Sequence, residues 1–345
     1  MSHLQNSNSV TKPRLKIAII GAGFSGLSVA WHLLAKEACE IVIYDAKGIG
    51  GGASGVATGL LHPYVGEQGR RSMLASEGVQ AATELIQAVE KRHYSNIIIQ
   101  KGIIRYVQNE KQKKMFLSHC CEFGDVKLFT DNGFWIESGL TIDCPLYLEG
   151  LWRAVADRGT QLVREEVSDL KALEGFDHVI VAAGAGVKKF PELNELSLSV
   201  LKGQVLSCHA PDGVSLPATS IIGKGYVTLA SDPRTCFVGS TYERQDLTET
   251  PDPEGAKNLL WEKISAFFPS VDQLEIIGCK AALRVVRKEH YFPFVGRIKE
   301  GLWVLTGLGS RGLLYHAYLG KLLAESVLAG NDKSLSSLFN NRIVL

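Results

Sequence analysis

The sequence contains no C-x-x-C pair and no Cys/His grouping at metal-ligand spacing. Its seven cysteines (Cys39, Cys120, Cys121, Cys144, Cys208, Cys236 and Cys279) are odd in number and scattered. This pattern argues against a disulfide framework and against a zinc site; no metal is expected, and reduced thiols suit a cytoplasmic enzyme. Charge of one sign is also missing. Lys and Arg total 37 against 36 Asp and Glu, a net charge of +1, so nothing draws the whole molecule to nucleic acid or to an anionic membrane. No apolar run is long enough to span a bilayer. The stretch from Arg14 to Ala35 opens like a secretory leader, but glycines, Ser25 and His32 interrupt it and no small-residue cleavage site follows. Internal repeats and low-complexity tracts are absent.

What the sequence has in quantity is glycine, 35 residues of 345, much of it in clusters. Clustered glycine marks tight turns and close approach of backbone to a ligand. Hydrophobic content of 46% and charged content of 21% describe a folded globular chain, and the length suggests two domains. Residues 1–13 are polar and expected to be disordered.

Leu15 to Ile20 reads as a buried strand, Phe24 to Lys36 as a helix, and Glu40 to Tyr44 as a second strand, a parallel β-α-β unit. Between the first strand and the helix lies Gly21-Ala22-Gly23-Phe24-Ser25-Gly26. The first glycine allows the tight turn, the second lets a pyrophosphate approach, and the third lets helix and strand pack closely. Amides at the helix N terminus then face the phosphates. Asp45, at the end of the second strand, can accept from both ribose hydroxyls of an adenosine. A second cluster, Gly50 to Gly55 with Ala53, Ser54 and Gly55, sits in a glycine-rich loop from Lys47 to Gly59 and suits a cofactor longer than a mononucleotide. A third, Thr306 to Gly312, again joins a strand to a helix. Its Gly309, Ser310, Arg311 and Gly312, with Leu313, would present a helix N terminus to an anionic or polarised group such as reduced flavin.

Further strands are expected at Asn96–Val107, Asp177–Ala183 and Leu302–Thr306. Helices are expected at Ser72–Arg92, from Asp143 to about Asp157, at Glu254–Phe268 and at Leu313–Leu328. Asp143 is a good N-cap with Pro145 just inside its helix. Between Val200 and Gly296 short strands alternate with turns, as in an antiparallel sheet. Arg284 lies in the apolar strand LRVVR and needs a partner there, either a substrate carboxylate or a structural salt bridge. His62 and Tyr64 flank Pro63 beyond the second glycine loop; His62 is either a pocket residue or a structural histidine. Cys120 and Cys121 read as helix packing. Lys111, Lys113 and Lys114 read as a solvated helix face.

Together these segments resemble the D-amino-acid oxidase superfamily of FAD-dependent oxidoreductases, from Lys16 to about Leu328. GASGVATGLLHPYVG (Gly52 to Gly66), LKGQV (Leu201 to Val205), GYVTLASDPRTCFVGSTYER (Gly225 to Arg244) and GLGSRGL (Gly307 to Leu313) are most similar to the FAD domain of the bifunctional tRNA 5-methylaminomethyl-2-thiouridine biosynthesis enzymes. The resemblance implies an α/β fold, a Rossmann-like FAD-binding domain with an inserted α+β (antiparallel sheet) substrate domain. The expected division is 14–95, 143–195 and 297–345 for FAD and 96–142 and 196–296 for substrate. It implies FAD as cofactor, with further contacts at Leu60, Val167, Ala183 and Gly184, and substrate contacts from Arg284, His62 and Tyr242. Arg287 and Arg311 are alternatives to Arg284, because the stretch from Arg284 to Pro293-Phe294-Val295-Gly296 is one residue longer than in that family. The implied reaction takes a hydride from the carbon beside an amine and hydrolyses the resulting imine. The implied substrate is a modified tRNA or a small-molecule amine such as glycine, sarcosine or a D-amino acid. A non-catalytic flavoprotein is the remaining class.

Overall fold

A computed structural model describes residues 14–36, 39–288 and 292–339. Residues 1–13, expected to be disordered, lie outside them. The chain runs β1 (Leu15–Ile20), α1 (Phe24–Leu34), β2 (Cys39–Tyr44), α2 (Ala53–Val56), β3 (Leu60–Leu61), α3 (Ala75–Arg92), β4 (Ile98–Tyr106) and α4 (Glu110–Glu122). A hairpin, β5 (Val126–Thr130) and β6 (Gly133–Ile142), leads to α5 (Cys144–Ala156), β7 (Gln161–Val163) and β8 (His178–Val181). Then follow β9 (Leu198–His209), β10 (Ile221–Ile222), β11 (Tyr226–Leu229), β12 (Thr235–Gly239), α6 (Pro253–Ser265) and β13 (Glu275–Arg287). The chain closes with β14 (Phe294–Lys299), β15 (Leu302–Thr306), α7 (Gly312–Ala329) and α8 (Lys333–Phe339).

Two sheets share these strands. The first has the order β14-β15-β8-β1-β2-β7, with β15, β8, β1, β2 and β7 mutually parallel. Its central strand β1 is almost continuously apolar because helices cover both faces. On one side α1 and α7 bury Leu27 and Leu319, with Ala82 of α3 and Leu151 of α5 in the same core layer; on the other Val187, Phe190 and Leu193 close over Ala18 and Val181. Each large apolar side chain so buried contributes about 1.5–3 kcal/mol. The second sheet has the order β13-β9-β12-β11-β10-β4-β6-β3, with β5 on β6, and is antiparallel except where β10 meets β4. Helix α6 covers it, Leu260 and Ile264 packing on Leu206, Val227 and Val238.

The chain thus leaves the first sheet, builds β3–β6 of the second, returns for β7 and β8, leaves again for β9–β13, and ends in the first. Two short pieces cross the sequence-based division. β3 pairs with β6 in the second sheet, and Phe294–Gly296 pair with β15 in the first. The stretch Lys47–Gly59 is not wholly loop: Ala53–Val56 form one helical turn, too short to show a period in sequence. Among the described residues no helix is long and apolar enough to cross a membrane.

Candidate functional site

The ends of β1, β2, β8 and β15 and one face of the second sheet enclose a cavity of about 570 Å³. The dinucleotide turn forms one wall. Gly21 has φ +113°, and a methyl there would lie 2.3 Å from the Ala182 carbonyl oxygen, so glycine is required. Gly23, Phe24 and Ser25 line the cavity, while Gly26 does not. A Cβ on Gly26 would stand 1.9 Å from the Gly21 carbonyl oxygen, so it serves close packing of α1 on the turn. The second glycine cluster is tied to the first: Gly50 N–H donates to Ala22 O (2.9 Å) and Phe24 N–H to Ser54 Oγ (3.1 Å). Gly52, Ala53 and Ser54 line the cavity, whereas Gly55 packs against Gly50 outside it.

Asp45 lines the same wall, but its carboxylate is already engaged. Oδ2 accepts from Ala22 N–H (2.8 Å), and Oδ1 from the N–H groups of Lys47 and Gly48 (both 2.9 Å). Of roughly four acceptor positions three are used, which leaves room for one ribose hydroxyl rather than two. Leu60, Val167, Ala183 and Gly184 line the cavity, as do Gly309, Ser310, Gly312 and Leu313 of the third cluster. Arg311 departs from expectation. It is not in the lining, and its Nη2 donates to the Val65 carbonyl (3.1 Å).

Two of the three expected substrate contacts also lie elsewhere. His62 is buried outside the cavity, and its Nδ1 accepts from Tyr64 N–H (3.3 Å). Burial, then the nearby Arg105 and Arg311, pushes its pKa down to about 3, so the ring is neutral. Tyr242 is 56% exposed and is absent from the lining; its sheet pairing, which sequence does not reveal, turns the ring outward. Arg284 is in the lining. Its Nη2 donates to Thr241 O (2.8 Å) and Nη1 more weakly to Ser240 Oγ (3.3 Å), while its enclosed Nε has no hydrogen-bond partner. A guanidinium has five N–H groups, so capacity remains for a carboxylate.

Arg284 lies across Gly203 of the neighbouring strand, where a Cβ would come within 1.9 Å of Nη2. Sequence reasoning passed over Gly203 as a site residue, although an isolated glycine inside a strand signals close approach. It also passed over Tyr226, which lines the cavity on the same sheet with Val205 and Ser240. No local signal separates Tyr226 from any other strand tyrosine.

The cradle fits an extended dinucleotide. Three helices, α1, α2 and α7, start at the cavity, and none is capped by the side chain of its own N-cap residue, although the Phe24 N–H of α1 is already taken up by Ser54 Oγ. Their remaining amides are left for a ligand with anionic or polarised oxygens.

A family model described as FAD dependent oxidoreductase (DAO) matches residues 16–326. The tRNA 5-methylaminomethyl-2-thiouridine biosynthesis bifunctional protein MnmC of Marinobacter nauticus is 25% identical over 94% of this chain and 58% of its own length. Four such relatives are covered over 52–59% of their length, so the chain spans about half of those proteins. Glycine oxidase of Geobacillus kaustophilus is 24% identical over 91% of this chain and 93% of its own. The crystal structure of glycine oxidase from that organism superposes with a TM-score of 0.80 at 21% identity, covering 97% of this chain and all of the other. Iminodiacetate oxidase from Chelativorans sp. BNC1 gives 0.75 at 22%, covering 91% and 95%. The chain belongs to the FAD-dependent oxidoreductase (DAO) family, and it is an enzyme with FAD as its cofactor.

Proposed function

We propose that the enzyme oxidises the C–N bond of a secondary amine bearing a carboxymethyl group, carried on the wobble uridine of a tRNA. The observation that carries this reading is Arg284, a guanidinium with an unbonded Nε in the cavity wall opposite the dinucleotide turn. Its planar fork suits a carboxylate bidentately. FAD, when bound, supplies the two-electron acceptor. Arg284 holds the carboxylate and fixes which C–H bond faces the acceptor. Around Arg284 the lining of Gly203, Val205, Tyr226, Ser240 and Ala282 offers no carboxylate or imidazole. The amine therefore enters neutral and needs no side-chain base. Hydrolysis of the product imine would release glyoxylate and leave an aminomethyl group on the base. Gly21, Gly23, Asp45, Ser54 and the Gly309–Leu313 turn are the proposed cofactor contacts, on the first sheet; the second sheet is the proposed substrate side.

A second reading, a small-molecule oxidase for glycine, sarcosine or a related amine, is favoured by the 93% coverage of glycine oxidase. Anaerobic flavin reduction by tRNA carrying carboxymethylaminomethyluridine and by N-methylglycine separates the two. In either case Arg284→Met should keep FAD and raise KM steeply, because breaking a buried charge-assisted pair costs about 2–5 kcal/mol. Arg284→Lys should fall between, since it keeps the charge and loses the fork. An unchanged KM in the flavin-loaded Met variant would remove Arg284 from the carboxylate role.

A further inference from the structure

The segment from Ser240 to Asp252 links β12 to α6 without regular structure and is extended where it begins. Lys202 and Glu243 form an antiparallel bridge, each N–H donating to the other's carbonyl at 3.0 Å. Extended backbone sends successive side chains to opposite sides. Glu243 accordingly turns in and accepts from Gln204 Nε2 (3.1 Å) and from Thr241 Oγ1. Tyr242 and Arg244 turn out together. Asp246, itself half exposed, meets the ammonium of the buried Lys202 at 2.6 Å. Glu243 and Asp246 are thus engaged by Gln204, Thr241 and Lys202, while an aromatic ring and a guanidinium face outward.

That outward pair stands at the cavity mouth. The Arg284 guanidinium, which lines the cavity, lies 5.8 Å from the Tyr242 ring centroid, and the Arg244 guanidinium lies 5.9 Å from it. Flanked by two cations, the ring is still 56% exposed. Arg244 has no carboxylate within salt-bridge distance among the described residues.

We propose that Tyr242 and Arg244 form a docking rim for the nucleotide next to the reacting uridine, Tyr242 stacking on its base and Arg244 meeting its phosphate. An exposed ring provides a sequence-tolerant stacking platform for an unpaired base, and arginine pairs with phosphate oxygens. The inference rests on the tRNA reading and narrows it to single-stranded nucleic acid presented at this mouth.

The test compares tRNA carrying carboxymethylaminomethyluridine with the free modified nucleoside, using flavin-loaded enzyme. Tyr242→Ala should lower the ratio of kcat/KM for tRNA over nucleoside by about five- to hundredfold, the range expected for losing one stacked base. Tyr242→Phe should restore it. Arg244→Gln should reduce the slope of log binding constant against log salt for tRNA by about 0.7, one phosphate contact on a single strand. If ratio and slope both stay at wild-type values, the rim is refuted while the tRNA reading stands. Equal loss for tRNA and nucleoside would also refute it, since Tyr242 would then act only through Arg284. A wild-type enzyme that binds no tRNA and is reduced only by free amines overturns the tRNA reading itself.

Discussion

The helices that begin at the cavity differ from those that begin elsewhere in one respect, the treatment of their first turn. α4, α5 and α6 are each capped by a side chain: Asn109 accepts from Gln112 N–H, Asp143 from Leu146 N–H and Asp252 from Gly255 N–H. α1, α2 and α7 start at Gly23, Gly52 and Arg311, and none of these caps its helix. α3 is also uncapped, from Leu74, but it begins away from the cavity. Four free amides per helix end are costly if buried and useful if a ligand supplies the acceptors. Among α1–α7, α3 apart, the fold therefore closes the ends that lie away from the cavity and leaves open the three that meet there.

The largest effect should come from closing one of the open ends with a charge. Gly23→Asp would give α1 the cap that α4–α6 possess and would set a carboxylate where the cofactor's pyrophosphate is proposed to lie. The added Cβ would also meet Ser54 Oγ at 2.7 Å. Purified protein should lose nearly all bound flavin, measured as flavin absorbance per protein, while its far-UV spectrum stays that of a folded α/β chain. Retention of wild-type flavin content would mean that the α1 amides do not serve the cofactor.

The second effect is acid lability of the open-ended half. His32 and His316 sit on α1 and α7 and His62 near Arg311; burial chiefly pushes them to about 4, 4 and 3. Burial is what disfavours charge on His316, whose Nε2 lies 2.7 Å from Tyr147 Oη and Nδ1 2.9 Å from Leu313 O. A histidine whose folded pKa is depressed binds protons better when unfolded. Its stabilisation is whole above the ordinary value of about 6.5 and is lost as pH falls through the window down to the folded value. Each such group adds up to about 1.4 kcal/mol per pH unit in that window. Unfolding midpoints should fall between pH 6.5 and 4, and His316→Asn should flatten the slope. A stability flat across that range would contradict the neutral assignment.

How much of this was legible follows the same division. LKIAII, GAGFSG, Asp45 and the Asp143 cap depend on local rules, period, turn chemistry and capping, and the structure has β1 and α5 where those rules put them. Asp45 was located, but its three backbone partners come from the fold of the next turn, so its spare capacity was overestimated. The orientation of His62 and Tyr242 was out of reach for a different reason. Which way each points depends on a non-local partner, the Arg105–Arg311 surroundings for one and the Lys202–Glu243 bridge for the other. The β5–β6 hairpin was passed over although Asn132-Gly133 is a turn signal, because β5 leaves four of its five residues exposed and shows no alternation. Gly203 and Tyr226 meet Arg284 only through the pairing of β9 with β13 and β12 and of β11 with β12.

The smallest effect is the sharpest test of the comparison, because it alters a cap without filling the cradle. Gly52 precedes α2, has φ −106°, and a Cβ there would meet nothing within 4 Å, so serine fits without strain. Serine in place of glycine at an N-cap should stabilise the flavin-free protein by a few tenths of a kcal/mol. Its Oγ would then occupy an amide proposed to serve the cofactor, and FAD dissociation constants should rise about two- to fivefold, on the order of one weak hydrogen bond. The matched control is Asp143→Ala, which removes a cap away from the proposed cofactor contacts. It should cost about 1 kcal/mol of stability and leave FAD affinity where it was. Calorimetry of the flavin-free proteins and fluorescence titration with FAD read the two quantities separately. Opposite signs for stability and affinity in Gly52→Ser, with stability alone changed in Asp143→Ala, are what uncapped ends reserved for a ligand require. If Gly52→Ser binds FAD as tightly as wild type, α2 is open for a reason other than the cofactor, and only α1 and α7 remain as its amide donors.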